Sequence, residues 1–174
     1  MTHNIILIGF RGTGKTTLST ECAVQLGLQR ISTDERVVER LGMSIAEFVQ
    51  QRGWAEFRRI EHEEIRALQG KTGFVIDCGG GVVENPENMR FLGEMGNIIW
   101  VDAALEDVIS RLLQNADDQQ RPLLTHGDAR ADIEANYTRR RPMYEQYAEL
   151  HINTSLLSTE QCIQSVQSFL EGGL

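Results

Sequence analysis

One stretch restricts this chain to very few folds: Asn4 to Leu18, NIILIGFRGTGKTTL. Ile5-Ile6-Leu7-Ile8 is an apolar, β-branched run of the length of a buried strand. It leads into Gly9-Phe10-Arg11-Gly12-Thr13-Gly14-Lys15-Thr16, which fits the phosphate-loop pattern G-x-x-x-x-G-K-[ST]. Thr17 to Leu26 then reads as a helix. The order has a physical reason. Glycines let the backbone curl so that successive N–H groups point at phosphate oxygens, and the helix adds the positive end of its dipole. Lys15 is placed to reach β- and γ-phosphates, and the Thr16 hydroxyl to ligate Mg²⁺. Gly12, Thr13, Gly14, Lys15, Thr16 and Thr17 are therefore the expected nucleotide-binding residues. A glycine-rich turn that happens to carry a lysine is the competing reading; strand, loop and helix in the required order favour nucleotide binding.

Length and charge narrow the rest. The 174 residues predict one domain over 1–174 with a sizeable core. A net charge of −8 argues against nucleic acid as a partner, because phosphate neutralisation needs a basic face. With 24% charged and 41% hydrophobic residues the chain reads as globular, not disordered. No apolar run approaches the roughly 18 residues of a membrane span. Met1-Thr2-His3 leads straight into the first strand, so no signal peptide is expected and the location expected is the cytoplasm. Cys22, Cys78 and Cys162 are odd in number, far apart and without metal-ligand spacing, which reads as reduced thiols. The four histidines form no local cluster, so no zinc site is expected.

Apolar strands alternate with amphipathic helices along the chain, which predicts a parallel sheet covered on both faces. Strands are expected at Leu28 to Ser32, Gly73 to Cys78, Asn97 to Asp102 and Leu150 to Asn153, after the first. Helices are expected at Glu35 to Leu41, from the Ser44–Glu47 capping box to Gly53, and at Trp54 to Leu68. Others are expected after Pro86, at Leu105 to Leu113, at Ala129 to Tyr147 with a kink or break at Pro142, and at Thr159 to Leu170. Gln114 to Asp128 is polar and long for a loop, the mark of a lid or of a disordered segment. Ligands of such sheets sit at the carboxyl ends of the strands. That gathers the phosphate loop, Asp34, Asp77 and Gly79-Gly80-Gly81 at one cleft.

Beyond the phosphate loop, which many unrelated NTPases share, the chain carries several further motifs in order. They are Thr33-Asp34, Glu56-Phe57-Arg58-Arg59-Ile60-Glu61, Gly79-Gly80-Gly81, Arg121-Pro122-Leu123-Leu124 and Arg140-Arg141-Pro142-Met143-Tyr144. In this order and spacing the sequence resembles the shikimate kinase family over essentially its whole length. The resemblance implies a three-layer P-loop kinase fold of the nucleoside monophosphate kinase type, with a five-stranded parallel sheet. It implies ATP with Mg²⁺, and phosphorylation of the 3-hydroxyl of shikimate on the route to chorismate and aromatic amino acids. The expected state is a monomer. The family also packs an arginine on the adenine ring where Arg111 stands.

The residues suit that chemistry. Arg58 and Arg140 match a carboxylate with their guanidinium forks, and Glu61 lies one helical turn from Arg58 to steer it. Asp34, after a strand end, can accept a hydroxyl proton as base. Gly79, Gly80 and Gly81 permit close approach of backbone N–H groups to substrate. Arg121, on the expected lid, would close over the phosphates. Each has a plainer reading. Arg58 and Arg59 can be a solvated helix face, and Arg139 to Arg141 a surface cluster. Asp34 can cap a helix, the triplet can be a turn, and Arg121 an ordinary loop residue.

The chain departs from the family pattern at several points. Ser32 stands where the family has an aspartate that helps to hold waters around Mg²⁺. Trp54 replaces a glutamate, and Asp77 replaces a small residue. Asn153-Thr154-Ser155 matches the family's strand exit only in part. Asp77 ends an apolar strand with Walker-B geometry, so the acidic magnesium-side group is expected to have moved from 32 to 77. The alternative is that Asp77 pairs with a nearby arginine or caps a loop. The other functional readings are a kinase of another small hydroxy acid such as gluconate, and a catalytically weak nucleotide-binding paralogue.

Overall fold

The computed structural model describes residues 4–114 and 128–172. Strand β1 (Asn4–Ile8) is buried at every position, as a strand with neighbours on both edges and helices on both faces must be. It pairs in parallel with β3 (Phe74–Asp77) on one side and β4 (Gly96–Asp102) on the other. Strands β2 (Gln29–Ser32) and β5 (Leu150–Asn153) complete a five-stranded sheet in the order β2-β3-β1-β4-β5. This is the parallel sheet expected from the alternation of strands and helices.

Side chains alternate across the sheet with a period of two. Ile5 and Leu7 face helix α1 (Lys15–Leu26) and helix α7 (Thr159–Gly172), packing with Leu18, Cys22, Ile163 and Val166. Ile6 and Ile8 face the opposite layer with Ile65, Met89, Val108, Ile133 and Tyr144. Those residues come from α3 (Ile45–Arg66), α4 (Pro86–Met95), α5 (Leu105–Gln114) and α6 (Ala129–Tyr147). Helix α2 (Thr33–Leu41) and α3 enclose a smaller cluster of Val37, Ile45, Phe57 and Ile60.

The helix ends follow their capping chemistry. Ser44 and Glu47 form the reciprocal capping box, and Pro86 opens α4. The two helices expected to meet at Gly53 run as one element with a break there, where φ 81 and ψ 167 require glycine. Helix α6 has the expected span, Ala129–Tyr147, and runs through Pro142 without a break. The proline has no N–H for the carbonyl of Thr138, but Ile133, Tyr137 and Tyr144 seat the helix in the core on both sides of it.

The topology aligns the carboxyl ends of the strands. Ser32 lies opposite Asp77, Leu7 opposite Asp77, and Asp102 opposite Asn153. The phosphate loop leaves β1 between them. Of the segment expected as a lid, Gln114 ends α5, and Asp128 caps α6 by accepting from the N–H of Arg130 at 2.9 Å. The rest, Arg121 included, lies outside the described residues. Among the described residues, no helix is long and apolar enough to cross a membrane.

Candidate active site

The phosphate loop is held from both flanks. Gly9 has φ 146, and a Cβ there would sit 2.1 Å from the carbonyl oxygen of Val101, so only glycine lets the loop press against β4. Thr13 donates its hydroxyl to the carbonyl of Phe10 at 2.8 Å, and Lys15 Nζ donates to the same oxygen at 2.9 Å. Thr154, just past β5, donates to the carbonyl of Thr13 at 2.8 Å. Arg111 Nη1 donates to the carbonyl of Gly12 at 3.0 Å. Gly14 is the N-cap of α1 and offers no side-chain acceptor, and the first turn of α1 carries no acidic residue. The positive end of the helix is thus left to a ligand.

In front of this loop lies a cavity of about 1010 Å³. It is lined by Gly12, Gly14, Lys15, Thr16 and Thr17 of the loop and α1, together with Asp34, Asp77, Gly80 and Arg111. Asp34 is half-buried in the first turn of α2. It is not the helix cap: Ser32 is, accepting from the N–H of Glu35 at 3.3 Å. Ser32 therefore does structural work at the position where an acidic residue was expected.

Asp77 sits beside the phosphate loop. Its Oδ2 accepts the hydroxyl of Thr16 at 3.0 Å, the hydroxyl of Ser19 at 3.4 Å and Arg30 Nη2 at 3.3 Å. Arg30 is pinned in turn by both carboxylate oxygens of Glu35 and donates its Nε to Ser19 at 2.9 Å. Asp77 thus touches the expected magnesium residue and also pairs with an arginine. Arg30 had no signal in the sequence, because it reaches Asp77 across 47 residues.

The second cluster lies at Gly81. A Cβ on Gly81 would fall 2.0 Å from Arg58 Nη2, so the third glycine makes room for the guanidinium. Arg58 Nη1 donates to Glu61 at 2.6 Å, the steering contact expected from their spacing. Arg58 also lies over the ring of Trp54, its carbon 5.6 Å from the centroid. Its Nη2 donates to Glu84 at 2.9 Å, and Arg140 meets the same carboxylate through Nε and Nη2 at 3.3 and 3.4 Å. Arg139 forms a further, short ion pair with Glu84. These arginines hold the Glu84 carboxyl below its ordinary range against the opposing effect of burial. Glu84 was not singled out from sequence; nothing local marks a glutamate three residues after a glycine triplet.

The triplet itself links the two clusters. Gly79 gives its N–H to the hydroxyl of Thr33 at 2.9 Å. A Cβ on Gly80 would approach the carbonyl of Gly9 to 3.3 Å, and Tyr144 of α6 donates its hydroxyl to the carbonyl of Gly80. Arg58 and Arg140 do not line the large cavity; Arg58 packs against Gly81, next to Gly80, which does line it, and meets Arg140 on Glu84. The three cysteines are buried and unpaired, and burial pushes the Cys22 thiol up to about 11, so it stays protonated near neutrality.

With this geometry in hand, known proteins are informative. The sequence model of the shikimate kinase family matches residues 11–171. Shikimate kinase of Pelotomaculum thermopropionicum is 39% identical over 168 residues, covering 97% of this chain and 95% of the relative. That of Caldicellulosiruptor bescii is 37% identical over 165 residues, covering 95% and 94%. Among solved structures, Aquifex aeolicus shikimate kinase superposes with a TM-score of 0.82 at 29% identity, covering 98% of this chain and 97% of that one. The fold of Acinetobacter baumannii shikimate kinase, solved in complex with shikimate, matches at 0.90 with 24% identity, covering 99% and 95%. The phosphate loop, the arginines gathered at Glu84 and these matches over nearly the whole length agree: the chain belongs to the shikimate kinase family.

Proposed function

We propose that the protein transfers the γ-phosphoryl group of ATP to the 3-hydroxyl of shikimate, giving shikimate 3-phosphate and ADP. The observation that carries this reading is the placement of two sites around Gly80. A phosphate loop and Asp34 line one cavity, and a pair of arginines suited to a carboxylate, Arg58 packed against the adjoining Gly81 and Arg140 beside it, meets on Glu84. The product would feed the route to chorismate and the aromatic amino acids. The same reading takes the chain as a cytoplasmic monomer built as one domain.

In this mechanism the N–H groups of Gly12 to Thr17 and the Lys15 ammonium hold the phosphates, with Arg111 on the adenine side. Arg58 and Arg140 hold the substrate carboxylate, and Gly79 to Gly81 let the ring come close. Asp34 takes the proton of the 3-hydroxyl as its oxygen bonds to the γ-phosphorus and the bond to the β–γ bridging oxygen breaks. Arg121, from the expected lid, offsets the charge that builds on the transferring group.

Mg²⁺ fits the donors present. Thr16 Oγ1 and Asp77 Oδ2 are oxygens 3.0 Å apart beside the loop, the hard ligands this ion prefers. Among the described residues no group of three or more His, Cys, Asp or Glu gathers as a metal cage, which agrees with an ion coordinated mainly by phosphates and water. Thr16 would ligate it, and Asp77 would orient its waters in place of the uncharged Ser32. Bound there, the ion neutralises phosphate charge.

A coupled ADP-release assay with ATP, Mg²⁺ and either shikimate or gluconate tests the reading. Turnover with shikimate is expected. Turnover with gluconate alone assigns the chain to the other acid, and nucleotide binding without turnover of either identifies an inactive paralogue.

A further inference from the structure

Glu84 holds the place that the proposed substrate needs. A guanidinium binds a carboxylate best through two parallel N–H donors along one edge. On Arg140 the edge formed by Nε and Nη2 is taken up by Glu84, at 3.3 and 3.4 Å. Arg58 spends one terminal nitrogen on Glu61 and the other on the same Glu84. Both arginines assigned to the substrate carboxylate are thus bridged by a carboxylate of the chain itself.

The geometry of the bridge favours exchange. Its contacts to Arg140 lie near the long limit for a hydrogen bond, so they give up little when broken. Arg140 is fixed, with 7% of its side chain exposed, whereas Glu84 is 22% exposed at the end of a short 3₁₀ turn, Val82–Glu84. Arg139, at 49% exposure, stands at the rim and grips the same carboxylate. A glutamate that leaves Arg140 therefore keeps a cationic partner beside solvent. Arg58, Arg139 and Arg140 against Glu61 and Glu84 leave one net positive charge, which a monoanion neutralises.

We propose that Glu84 is an internal stand-in for the substrate's carboxylate. It bridges Arg58 and Arg140, and the incoming carboxylate displaces it toward Arg139. This deepens the shikimate kinase reading and rests on it. The exchange makes Glu84 a specificity-determining residue. An acid replaces the anion it displaces, whereas an uncharged polyol would leave the buried Arg140 guanidinium without its carboxylate partner, a costly outcome.

The test is Glu84→Gln in the full chain, with KM for shikimate and for ATP measured separately. The amide keeps the shape and removes the competing charge, so the shikimate KM is expected to fall by about fivefold to tenfold, the contrast between charged and neutral acceptors. The ATP KM should stay within about twofold, since Glu84 does not line the nucleotide cavity. An unchanged or raised shikimate KM at steady ATP KM overturns the inference and makes Glu84 a positioning residue for the arginines. A crystal structure of the unaltered chain with shikimate decides the matter if the variant misfolds. Glu84 is expected beyond hydrogen-bonding distance of Arg140 Nε, and its persistence there overturns the exchange. Absence of shikimate turnover in the unaltered chain would instead overturn the functional reading itself.

Discussion

Asp77 receives three donors on a single oxygen, one from the phosphate loop and one from an arginine. A carboxylate at 5% exposure is costly to bury without such partners. Arg30 therefore explains how an acidic residue is tolerated at the end of a buried strand, and the Thr16 contact explains what it is near. If Asp77 orients metal-bound waters, Asp77→Ala raises the Mg²⁺ concentration needed for half-maximal rate. It also weakens Mn²⁺ binding to the ADP complex, read by electron paramagnetic resonance. Ser32→Asp in that background restores much of both, because Ser32 and Asp77 are register partners on adjacent strands. An Mg²⁺ dependence untouched by Asp77→Ala leaves Asp77 as the partner of Arg30 alone. Lys15→Ala is expected to abolish phosphoryl transfer in the same assay by removing a positive charge from the β/γ-phosphates.

Elements were legible where their signals are local. The Ser44–Glu47 box, Pro86 and the β-branched runs each act within a few residues, and each element lies where those signals placed it. The phosphate loop was legible for the same reason. Helix α6 was expected over the same span, but its passage through Pro142 without a break rests on packing with distant parts of the chain, which no local signal carries. Arg58 and Arg140 were expected to act together and do share a partner, but that partner, Glu84, was not foreseen: it lies 56 residues from Arg140. Tyr137 of α6 shows how such distant joints matter. Its hydroxyl donates to Asp102 of β4 at 2.9 Å and to the carbonyl of Ala103 at 3.2 Å. Burial, with the hydrogen bond and charge of Asp102, pushes the phenol up to about 12. The unfolded phenol ionises near 10, so this contribution is whole below about pH 10 and is lost as pH rises through about 12. Tyr137→Phe is expected to cost about 1–3 kcal/mol at neutral pH, since it leaves the buried Asp102 short of a donor. It should also flatten the alkaline fall in stability, measured by urea unfolding from pH 8 to 11.

At the scale of the whole molecule, the site is a seam between layers. Lys15 and Thr16 begin a helix on one face of the sheet, whereas Arg58 and Arg140 belong to α3 and α6, which pack on the other. The strands and the glycine triplet join them. A ligand on either side binds only the folded arrangement, so each ligand stabilises the whole fold by mass action. At 100 times its dissociation constant a ligand contributes about 2.7 kcal/mol, which for a chain of this length raises Tm by about 5–10 °C. ADP with Mg²⁺ and shikimate should each produce such a shift in calorimetry of the unaltered protein. Arg140→Ala separates them. Removing one side of a buried charge-assisted pair weakens binding by about 2–5 kcal/mol. At the same shikimate concentration the shift should then fall to about 3 °C or less, while the ADP shift persists. A variant that kept the shikimate shift and lost the ADP shift would place Arg140 on the nucleotide side. Loss of both would mean that Arg140, 6% exposed beneath Phe10, serves the joint between the layers and not the acid clamp.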